Sequence, residues 1–438
     1  MKRRTISAYT LGCKVNQYDT SAMLEEFILS GYDILPFGEK TDVVLINTCT
    51  VTGTGENKSL KMIRRCFRET PHAAIIVAGC LAQREAEMVA ALDGVRLVVG
   101  TKKREGVVRA LEKALETSQG QSIVESLDGA VFEDARIDAA ESKTRAVLKI
   151  QEGCANKCSY CAIPLARGPV RSRSLESIKS EVKRLADGGY AEIILAGIHL
   201  NSYGRDNNSS MTEAVVAALE SVGENAEKSA RIRLGSLEPG VHYREFAQEI
   251  LDGNLGERLC PQFHLSLQSG SDSVLSRMRR RYSTDIYRKA VADLREFFPG
   301  CAITTDIIAG FPGETEEEFA QTLAFVEEIG FARVHAFPYS ERSGTEAASM
   351  SGKISVGIRQ NRAGAIINAA EKTAEVYLNS KIGHVLEVIF EETDKAGNCA
   401  GYCQHYLRCV VNGDVPKGVI ARFLASESCG GVLYGEVL

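Results

Sequence analysis

Three cysteines, Cys154, Cys158 and Cys161, lie within eight residues in a C-x3-C-x2-C spacing. Three thiolates this close together can hold one face of an iron–sulfur cube, whose four irons need four ligands. No fourth cysteine lies nearby in the sequence, so one iron would stay open to a substrate or a cofactor. Zinc is the alternative, but it prefers four Cys or His ligands arranged in pairs. The nearest histidine, His199, is 38 residues further on, so the spacing favours a cluster.

A second set of cysteines follows three apolar segments that are typical of buried parallel strands. The segments ISAYTLGC, DVVLINTC and AAIIVAGC end at Cys13, Cys49 and Cys80. Because ligands of a parallel sheet lie at the carboxyl ends of its strands, the three thiolates would converge on one crevice and could hold a second cluster. The alternative is three buried small hydrophobic side chains, since free cysteine is often buried. We assign Cys66, in the middle of a predicted helix, to the core on that ground.

The composition limits the kinds of protein that this chain can be. The chain has 438 residues, 44% of them hydrophobic and 25% charged, which is typical of a soluble globular protein with about three domains. We find no secretory signal and no apolar run near the ~20 residues of a membrane span. The sequence therefore predicts a cytoplasmic protein with reduced thiols and no membrane partner. The formal net charge of -5 does not indicate a nucleic-acid binder, so any RNA contact must come from local basic patches.

The pattern of strands and helices predicts an α/β fold class and divides the chain into four segments. Residues 1–116 alternate strands and helices, which predicts a doubly wound parallel sheet. Residues 117–142 hold six acidic residues and one arginine and indicate an exposed linker. Residues 143–372 hold six strand–helix units, fewer than the eight of a closed barrel, and the triplet Cys154–Cys161 follows the first strand. Residues 373–438 predict a small antiparallel β-barrel.

The stretch GCANKCSYCAIPLARGPVRSR, from Gly153 to Arg173, resembles the cluster-binding segment of the radical S-adenosylmethionine (radical SAM) enzymes. The resemblance implies a partial (β/α)6 barrel and a [4Fe–4S] cluster whose open iron binds SAM. It also implies cleavage of SAM to a 5′-deoxyadenosyl radical, so that the cofactor carries the difficult chemistry. The cysteine triplet would then be the catalytic centre.

The motifs TLGCKVNQYDT, INTCTVT and AGCLAQR are similar to the amino-terminal domain of the methylthiotransferases, a radical SAM subfamily with two [4Fe–4S] clusters. The similarity implies that Cys13, Cys49 and Cys80 ligate the second cluster. Asn16 and Asn47 belong to the same motifs, and either a helix-capping role or a contact with the cluster fits them. The carboxyl-terminal segment resembles the TRAM domain, an RNA-binding barrel of tRNA-modifying enzymes.

The resemblance implies a reaction in which a C–H bond is replaced by C–S–CH3, with two SAM molecules consumed. The motifs TLGCKVNQYDT and LKIQEGCANKCSYCAIPLARG most resemble those of the branch that acts on N6-threonylcarbamoyladenosine (t6A) in tRNA. That branch modifies C2 of the base at position 37, in the anticodon stem-loop. One departure from that branch is Leu165, where an aromatic residue is expected. The alternatives are a sister enzyme acting on isopentenyladenosine or on a ribosomal-protein aspartate, and a non-catalytic iron–sulfur or zinc protein that binds RNA. A reductant such as flavodoxin or ferredoxin is implied, and the sulfur donor stays open.

Polar and glycine residues at the ends of the later barrel strands are the candidate SAM contacts. Glycine lets the backbone approach a ligand, and Ser and Gln offer hydrogen bonds to a ribose or a carboxylate. By resemblance, the segment after the second barrel strand holds the amino group of SAM, and AGFPGET is the adenine-binding turn. The candidates are Gly197, Ser236, Gln268, Gly310, Pro312 and Gly313. The alternative is an ordinary turn followed by a helix start.

Two basic clusters and the last domain supply the candidate RNA contacts, because arginine pairs bidentately with phosphate. The candidates are Arg167, Arg171, Arg173, Arg279, Arg281 and Arg408, with Tyr402 or Tyr406 available to stack a base. The alternative is a solvated helix face. The late cysteines fit no paired zinc spacing and are expected to be strand residues; they are Cys399, Cys403, Cys409 and Cys429.

Overall fold

The computed structural model describes residues 3–50, 53–102, 104–117, 120–135, 137, 144–223, 230–240 and 242–438. Within these ranges no helix is long and apolar enough to cross a membrane. The amino-terminal elements are β1 (Thr5–Thr10), α1 (Lys14–Leu29), β2 (Asp33–Ile34), β3 (Val43–Thr48), α2 (Gly53–Glu69), β4 (Ala74–Gly79), α3 (Cys80–Arg84), α4 (Ala86–Ala90), β5 (Val95–Val99), α5 (Val107–Glu116) and β6 (Gln121–Ile123).

The amino-terminal strands form one parallel sheet in the order β2-β1-β3-β4-β5-β6. Every residue of β3 and β4 is buried, because helices cover both faces of the sheet, as the continuous apolar runs in the sequence require. Two separate hydrophobic clusters, one centred on Leu45 and Ile76 and the other on Ile46 and Val77, fill the two faces. The predicted doubly wound sheet is confirmed.

Helix α1 begins at Lys14, directly after Cys13, and packs against strands of the neighbouring barrel. One detail differs from the sequence prediction. Part of the predicted linker, Gln121–Ile123, is the edge strand β6 of the sheet. Residues 118, 119, 136 and 138–142 of that linker lie outside the described residues, as does residue 143.

The central elements are β7 (Arg145–Glu152), α6 (Ile163–Arg167), β8 (Arg171–Ser172), α7 (Leu175–Asp187), β9 (Glu192–Gly197), α8 (Met211–Ser221), β10 (Arg231–Leu234), β11 (Ser236–Leu237), α9 (Tyr243–Asp252), β12 (Gln262–Leu265), α10 (Asp272–Arg277), α11 (Thr284–Phe297), β13 (Ala302–Ala309), α12 (Glu316–Ile329), β14 (Arg333–Pro338) and α13 (Val356–Asn379). Only Gly235 separates β10 from β11, so the sheets β10-β9-β7-β8 and β11-β12-β13-β14 continue one another. The parallel strands form the predicted six-unit partial barrel.

The helix starts of the central unit follow from local sequence. Serine or threonine stands at the N-cap of α7, α8, α11, α12 and α13, and in each case its hydroxyl accepts a hydrogen bond from the backbone N–H three residues on. At α12 the cap is a capping box, because Glu318 bonds back to the N–H of Thr315. These caps fix where each strand–helix loop ends, and the candidate site lies on those loops.

The carboxyl-terminal strands are β15 (Val385–Thr393), β16 (Asn398–Cys403), β17 (Arg408–Asn412), β18 (Ile420–Cys429) and β19 (Val432–Val437). They close a barrel in the order β15-β16-β17-β19-β18. One pair, β17 with β19, is parallel, so the predicted wholly antiparallel arrangement was wrong at this point. The side chains of Cys399, Cys403 and Cys409 are fully buried in the barrel core, whereas Cys429 is exposed.

The small barrel packs against the amino ends of the central strands. Arg231 donates to the carbonyl oxygen of Glu387 at 2.8 Å, and Arg233 donates to that of Gln404 at 3.1 Å. Both arginines also pair with the buried Glu192, at 2.8 and 2.7 Å. The contact leaves the carboxyl ends of the strands free for the candidate site.

His405 makes this contact sensitive to pH. It is buried beside the carbonyl of Pro261, and burial, reinforced by the charge of Lys381, lowers the pKa of its imidazole to about 3. The stabilisation of the neutral form is therefore complete above about pH 6.5, the ordinary pKa of histidine, and declines as the pH falls toward 3. We expect the free energy of unfolding, followed by circular dichroism in denaturant, to fall by up to about 1.4 kcal/mol per pH unit in this window. His405→Gln should flatten the dependence, whereas His242→Gln, at an exposed position, should not.

Candidate functional site

The carboxyl ends of three neighbouring parallel strands carry Cys13, Cys49 and Cys80. These cysteines follow β1, β3 and β4, which are adjacent in the sheet. Gly12 has a φ of +103°, and a Cβ at this position would lie 3.0 Å from Cβ of Cys49. The loop before Cys13 can therefore approach Cys49 only because residue 12 is glycine. The strand ends bring the three cysteines to one edge, as the sequence predicts.

Two asparagine side chains tie these loops together. The amide of Asn16 donates to the carbonyl oxygens of Leu11 at 2.7 Å and Thr48 at 2.9 Å. The amide of Asn47 donates to the carbonyl oxygen of Asn16 at 2.9 Å. Neither side chain caps a helix, and the N-cap of α1 is Cys13 itself. The two asparagines hold the strand ends in register, which fixes the backbone on which the cysteines stand.

Arg167, from the loop that follows the Cys154–Cys161 triplet, reaches the amino-terminal cysteines. Its side chain is fully buried, and its Nε donates to Sγ of Cys80 at 3.2 Å. The remaining guanidinium nitrogens bond to Asn16, to Glu152 and, at 2.8 Å, to Asp19. The side chain therefore joins the segment that follows the triplet to the amino-terminal cysteines. The expectation that Arg167 contacts RNA was wrong because it has no exposed surface.

Buried positive charge exceeds buried negative charge around Arg167. Among the described residues the buried cations are Arg104, Lys149, Arg167 and Arg171, and the buried carboxylates are Asp19 and Glu152. Glu133 meets Arg104 at the edge of this group, at 3.7 Å. Burial raises the pKa of the Cys80 thiol, but a thiol bound to a metal is deprotonated outright. A metal-bound thiolate beside Arg167 would balance the excess charge, so these residues fit a cluster.

The second cysteine set lies on a tightly folded loop after β7. Gly153 has a φ of +75°, and a Cβ there would lie 1.8 Å from the carbonyl oxygen of Pro169. The N–H of Cys154 donates to the carbonyl oxygen of Gly168 at 3.0 Å, and the N–H of Asn156 lies 3.4 Å from Sγ of Cys154. The loop is therefore closed on itself, which holds the cysteines at the carboxyl end of the first barrel strand.

A network that sequence reasoning missed surrounds the triplet. Arg280 donates to Sγ of Cys158 at 3.2 Å and pairs with Glu238 at 2.7 Å. Glu238 also bonds to Nε2 of His199 at 2.6 Å and accepts from Asn156 at 3.1 Å. Burial alone would raise the pKa of Glu238, but the hydrogen bond from His199 and the charge of Arg280 lower it to about 2. Each cysteine set thus has one buried arginine that donates to one sulfur.

Substitution of Gly153 should test whether the loop geometry is required for cluster binding. Gly153→Ala places a methyl group against Pro169, so we expect the iron content after anaerobic reconstitution to fall from about eight to about four per chain, one cube of two. Gly189→Ala is the matched control, because Gly189 also has a positive φ (+87°) but no atom within 4 Å of an added Cβ. Equal iron contents in the two variants would contradict the requirement.

Comparison with known proteins identifies the family. Residues 148–326 match the Radical SAM superfamily, and residues 5–100 match Uncharacterized protein family UPF0004. The chain is 39% identical over 414 residues to the threonylcarbamoyladenosine tRNA methylthiotransferase MtaB of Bacillus subtilis, covering 93% of this chain and 90% of that protein. The chain belongs to the radical SAM methylthiotransferase family. It is an enzyme of the group that uses SAM and a [4Fe–4S] cluster.

Other members are similar over the same length. This methylthiotransferase is 35% identical over 407 residues to MtaB of Thermotoga maritima, covering 92% of this chain and 91% of that protein. It is 34% identical over 400 residues to the tRNA-2-methylthio-N(6)-dimethylallyladenosine synthase of Symbiobacterium thermophilum, covering 88% and 83%. A solved radical SAM methyltransferase, TsrM from Kitasatospora setae, superimposes with a TM-score of 0.56 at 15% identity over 79% of this chain and 77% of that one. The last likeness concerns the fold alone.

The donor sets of the methylthiotransferase suit clusters better than single ions. In the part of the chain that the structure describes, no three Cys, His, Asp or Glu side chains are close enough to share one metal ion. A cube spreads its thiolates over separate irons, and hydrogen bonds to the sulfurs tune it. The donors Arg167 and Arg280 are placed to make such bonds, at 3.2 Å each from Cys80 and Cys158.

The structure separates the predicted SAM contacts into two groups. Gly197 and Ser236 line one large cavity, together with Cys13. Gln268 lies in left-handed conformation (φ +70°), and its backbone bridges to β13. The turn holding Gly310, Pro312 and Gly313 packs against the first turn of α13, and the N–H of Gly313 donates to the carbonyl oxygen of Gly352 at 2.9 Å. The second group does not line that cavity, and its role in SAM binding stays a prediction.

The predicted RNA contacts also divide. Arg171 and Arg173 are buried, and Arg173 bonds to Tyr18 and pairs with Asp134, so the expectation of phosphate contact was wrong for both. Arg173 joins the barrel to the amino-terminal unit, whereas Arg171 donates within the barrel to the carbonyl oxygen of Arg167 at 2.9 Å. The remaining candidates stay at least partly exposed: Arg279, Arg281 and Arg408. Tyr402 and Tyr406 stack on each other with ring centroids 5.0 Å apart.

The cavity connects all three units of the methylthiotransferase. It has a volume of about 1210 Å³ and extends from Cys13 and Gly197, across the inward face of β12–β14, to the small barrel. Arg408 and the turn at residues 428–432 line its outer end, and Glu371 and Glu375 of α13 line one wall. The cavity therefore forms a route from the small barrel to Cys13.

Proposed function

We propose that this enzyme attaches a methylthio group to C2 of t6A at position 37 of tRNA. Support comes from the four relatives at 34–39% identity, which are all named threonylcarbamoyladenosine tRNA methylthiotransferase MtaB. The sequence motifs around Cys13 and around Cys154–Cys161 resemble those of the same branch. The observation that carries the proposal is that similarity, because it extends over about nine-tenths of the chain.

The two cysteine sets divide the chemistry in this proposal. C2 of adenine carries no usefully acidic hydrogen, so a general base cannot remove it. When bound, a cluster on Cys154, Cys158 and Cys161 with SAM supplies a radical that can, and a cluster on Cys13, Cys49 and Cys80 supplies the sulfur. The chain itself positions the sulfurs, because Arg167 donates a hydrogen bond to Cys80 and Arg280 donates one to Cys158.

The ionised Glu238 keeps the first set in place. Its pKa of about 2 means that it stays charged at every working pH, and it holds both Arg280 and His199. The side chains of Glu238, His199 and Arg280 are largely buried, so the network holds the guanidinium of Arg280 against the partly buried Cys158.

The partners follow from the same reaction. The cavity mouth near Arg408, together with the surface residues Arg279 and Arg281, would receive the anticodon stem-loop, because its phosphates pair with exposed guanidinium groups. A one-electron reductant such as flavodoxin or ferredoxin would reduce the first cluster, and the cytoplasm, where thiols stay reduced, suits the six cysteines. These partners belong to the proposal.

A cellular experiment tests the proposal. The gene is deleted, tRNA is digested, and nucleosides are quantified by mass spectrometry. We expect 2-methylthio-t6A to disappear and t6A to accumulate, with recovery when the gene is restored. Unchanged 2-methylthio-t6A would contradict the proposal.

A second candidate substrate is isopentenyladenosine. The observation that favours it is 33–34% identity to four tRNA-2-methylthio-N(6)-dimethylallyladenosine synthases, only slightly below the first group. The same nucleoside digest distinguishes the two, because loss of the 2-methylthio isopentenyl nucleoside with unchanged 2-methylthio-t6A would assign the second substrate.

A further inference from the structure

The inward face of the later barrel strands carries a row of polar side chains. Ser236 stands opposite His264 in register, His264 opposite Thr304, and Thr304 opposite Arg333. Partners in a parallel pair share one face of the sheet, and all four residues line the cavity that also contains Cys13. The row therefore runs across four adjacent strands at one level of the barrel.

A second pair of polar residues, Asp306 and His335, lies next to this row. The two stand opposite each other in register, two residues further along β13 and β14 than Thr304 and Arg333. Nε2 of His264 lies 3.2 Å from a carboxylate oxygen of Asp306, and its Nδ1 lies 3.0 Å from the hydroxyl of Thr304. The rings of His264 and His335 are 6.2 Å apart. Asp306 is partly exposed behind the cavity-lining His264, so this part of the barrel offers both hydrogen-bond donors and a carboxylate acceptor.

Arg333 differs from the other arginines on the cavity wall. Arg233 pairs with Glu192 at 2.7 Å and Arg408 with Glu392 at 3.1 Å. Arg333 is exposed to the cavity and, within the described part of the chain, has no carboxylate within 4.0 Å and no hydrogen bond to its side chain. A guanidinium in this state can take a carboxylate from a ligand in a bidentate pair.

We propose that Arg333, with Thr304, His264 and Asp306, binds the N6 substituent of the substrate adenosine and selects a substituent that bears a carboxylate. This inference rests on the proposed function and names the residues that choose its substrate. Arg333 pairs with the threonyl carboxylate, Asp306 accepts from an N–H of the carbamoyl group, and Thr304 contributes its hydroxyl. Ser236, at the other end of the row, lies toward Gly197, where SAM is expected.

The selection has a physical reason. An isopentenyl group in the same place would cover Arg333 without making a hydrogen bond to it. A polar site rejects an analogue that lacks the matching groups strongly, because its own polar groups are then left unpaired. An apolar pocket cannot discriminate to that degree, since extra methylene groups change binding only modestly. The polar row therefore favours the threonylcarbamoyl substrate over the isopentenyl one.

The test compares Arg333→Leu with wild type and with Arg244→Leu in the reconstituted enzyme. Arg244 is the matched control because it lies on the outside of α9, paired with Glu296. Three quantities are measured: kcat/KM for methylthiolation of t6A-bearing tRNA, binding of the same tRNA without the threonylcarbamoyl group, and SAM cleavage without tRNA. We expect Arg333→Leu to lower kcat/KM about tenfold to a hundredfold, with the other two quantities unchanged, and Arg333→Lys to recover part of the loss.

Other outcomes overturn the inference in distinguishable ways. If Arg333→Leu methylthiolates t6A as wild type does, Arg333 does not bind the N6 substituent, and the proposed function is unaffected. If this variant loses affinity for tRNA that lacks the threonylcarbamoyl group in proportion to activity, Arg333 is a phosphate contact and not a substituent contact. If wild type acts on isopentenyladenosine-bearing tRNA and not on t6A-bearing tRNA, the proposed function and the pocket fail together.

Discussion

Replacement of Cys13 by alanine is expected to abolish methylthiolation of tRNA while SAM cleavage continues. Cys13 stands at the end of β1, beside Cys49 and Cys80, and a cube held by two thiolates instead of three would be lost or misplaced. The triplet Cys154–Cys161 lies on a different loop and keeps its own donor, Arg280. We expect the methylthio product to fall at least about a thousandfold, below detection by mass spectrometry, with 5′-deoxyadenosine formation within about twofold of wild type.

Two comparisons make that expectation specific. Cys154→Ala should abolish both the product and the 5′-deoxyadenosine, because it removes a ligand of the SAM-binding cluster. Cys66→Ala should leave both intact, since Cys66 is a core residue of α2 away from the strand ends. Loss of SAM cleavage in Cys13→Ala would contradict the division of roles between the two sets.

Replacement of Arg167 by methionine is expected to destabilise the protein by about 3–5 kcal/mol, the range seen when one partner of a buried ion pair is removed. Asp19, Glu152 and Asn16 would each lose a donor in a buried site, and Cys80 would lose the hydrogen bond to its sulfur. We also expect about half of the iron to be lost after reconstitution, because the amino-terminal set loses its counter-charge. Denaturant unfolding of the unreconstituted chain and iron assay of the reconstituted chain measure the two effects separately.

The control for Arg167 is Arg288→Met. Arg288 pairs with Glu328 and Asp285 on the surface, and exposed pairs of this kind contribute about 1 kcal/mol at most. Arg167→Lys should lie between wild type and Arg167→Met, because it keeps the charge but not the planar fork. A full iron content in Arg167→Met would show that the arginine serves the domain contact and not the cluster.

Local sequence patterns predicted the parts of the site that depend on local structure. Cys13, Cys49 and Cys80 follow apolar runs, and the position of a residue after a buried parallel strand determines the edge at which it lies. The positive φ of Gly153, which favours glycine, was found only in the structure. Whether the cysteines bind clusters remains a prediction that the experiments above address.

Contacts between distant segments could not be predicted in this way. Arg167 and its partner Asp19 are 148 residues apart, and the basic composition around Arg167 indicates a surface patch when it is taken alone. Arg280 and Cys158 are 122 residues apart, and nothing in either segment points to the other. One signal was available: Lys149 stands within the apolar strand VLKIQ, and a lysine in a buried strand requires a buried carboxylate.

The most direct test of the account is an anaerobic reaction with the reconstituted enzyme, SAM, a reductant and tRNA that carries t6A. The account predicts about eight irons per chain, two cubes, and formation of 2-methylthio-t6A detected by mass spectrometry. About four irons with SAM cleavage but no methylthio product would contradict it, because the amino-terminal cysteines would then hold no cluster. Modification of isopentenyladenosine-bearing tRNA alone would keep the family and contradict the substrate.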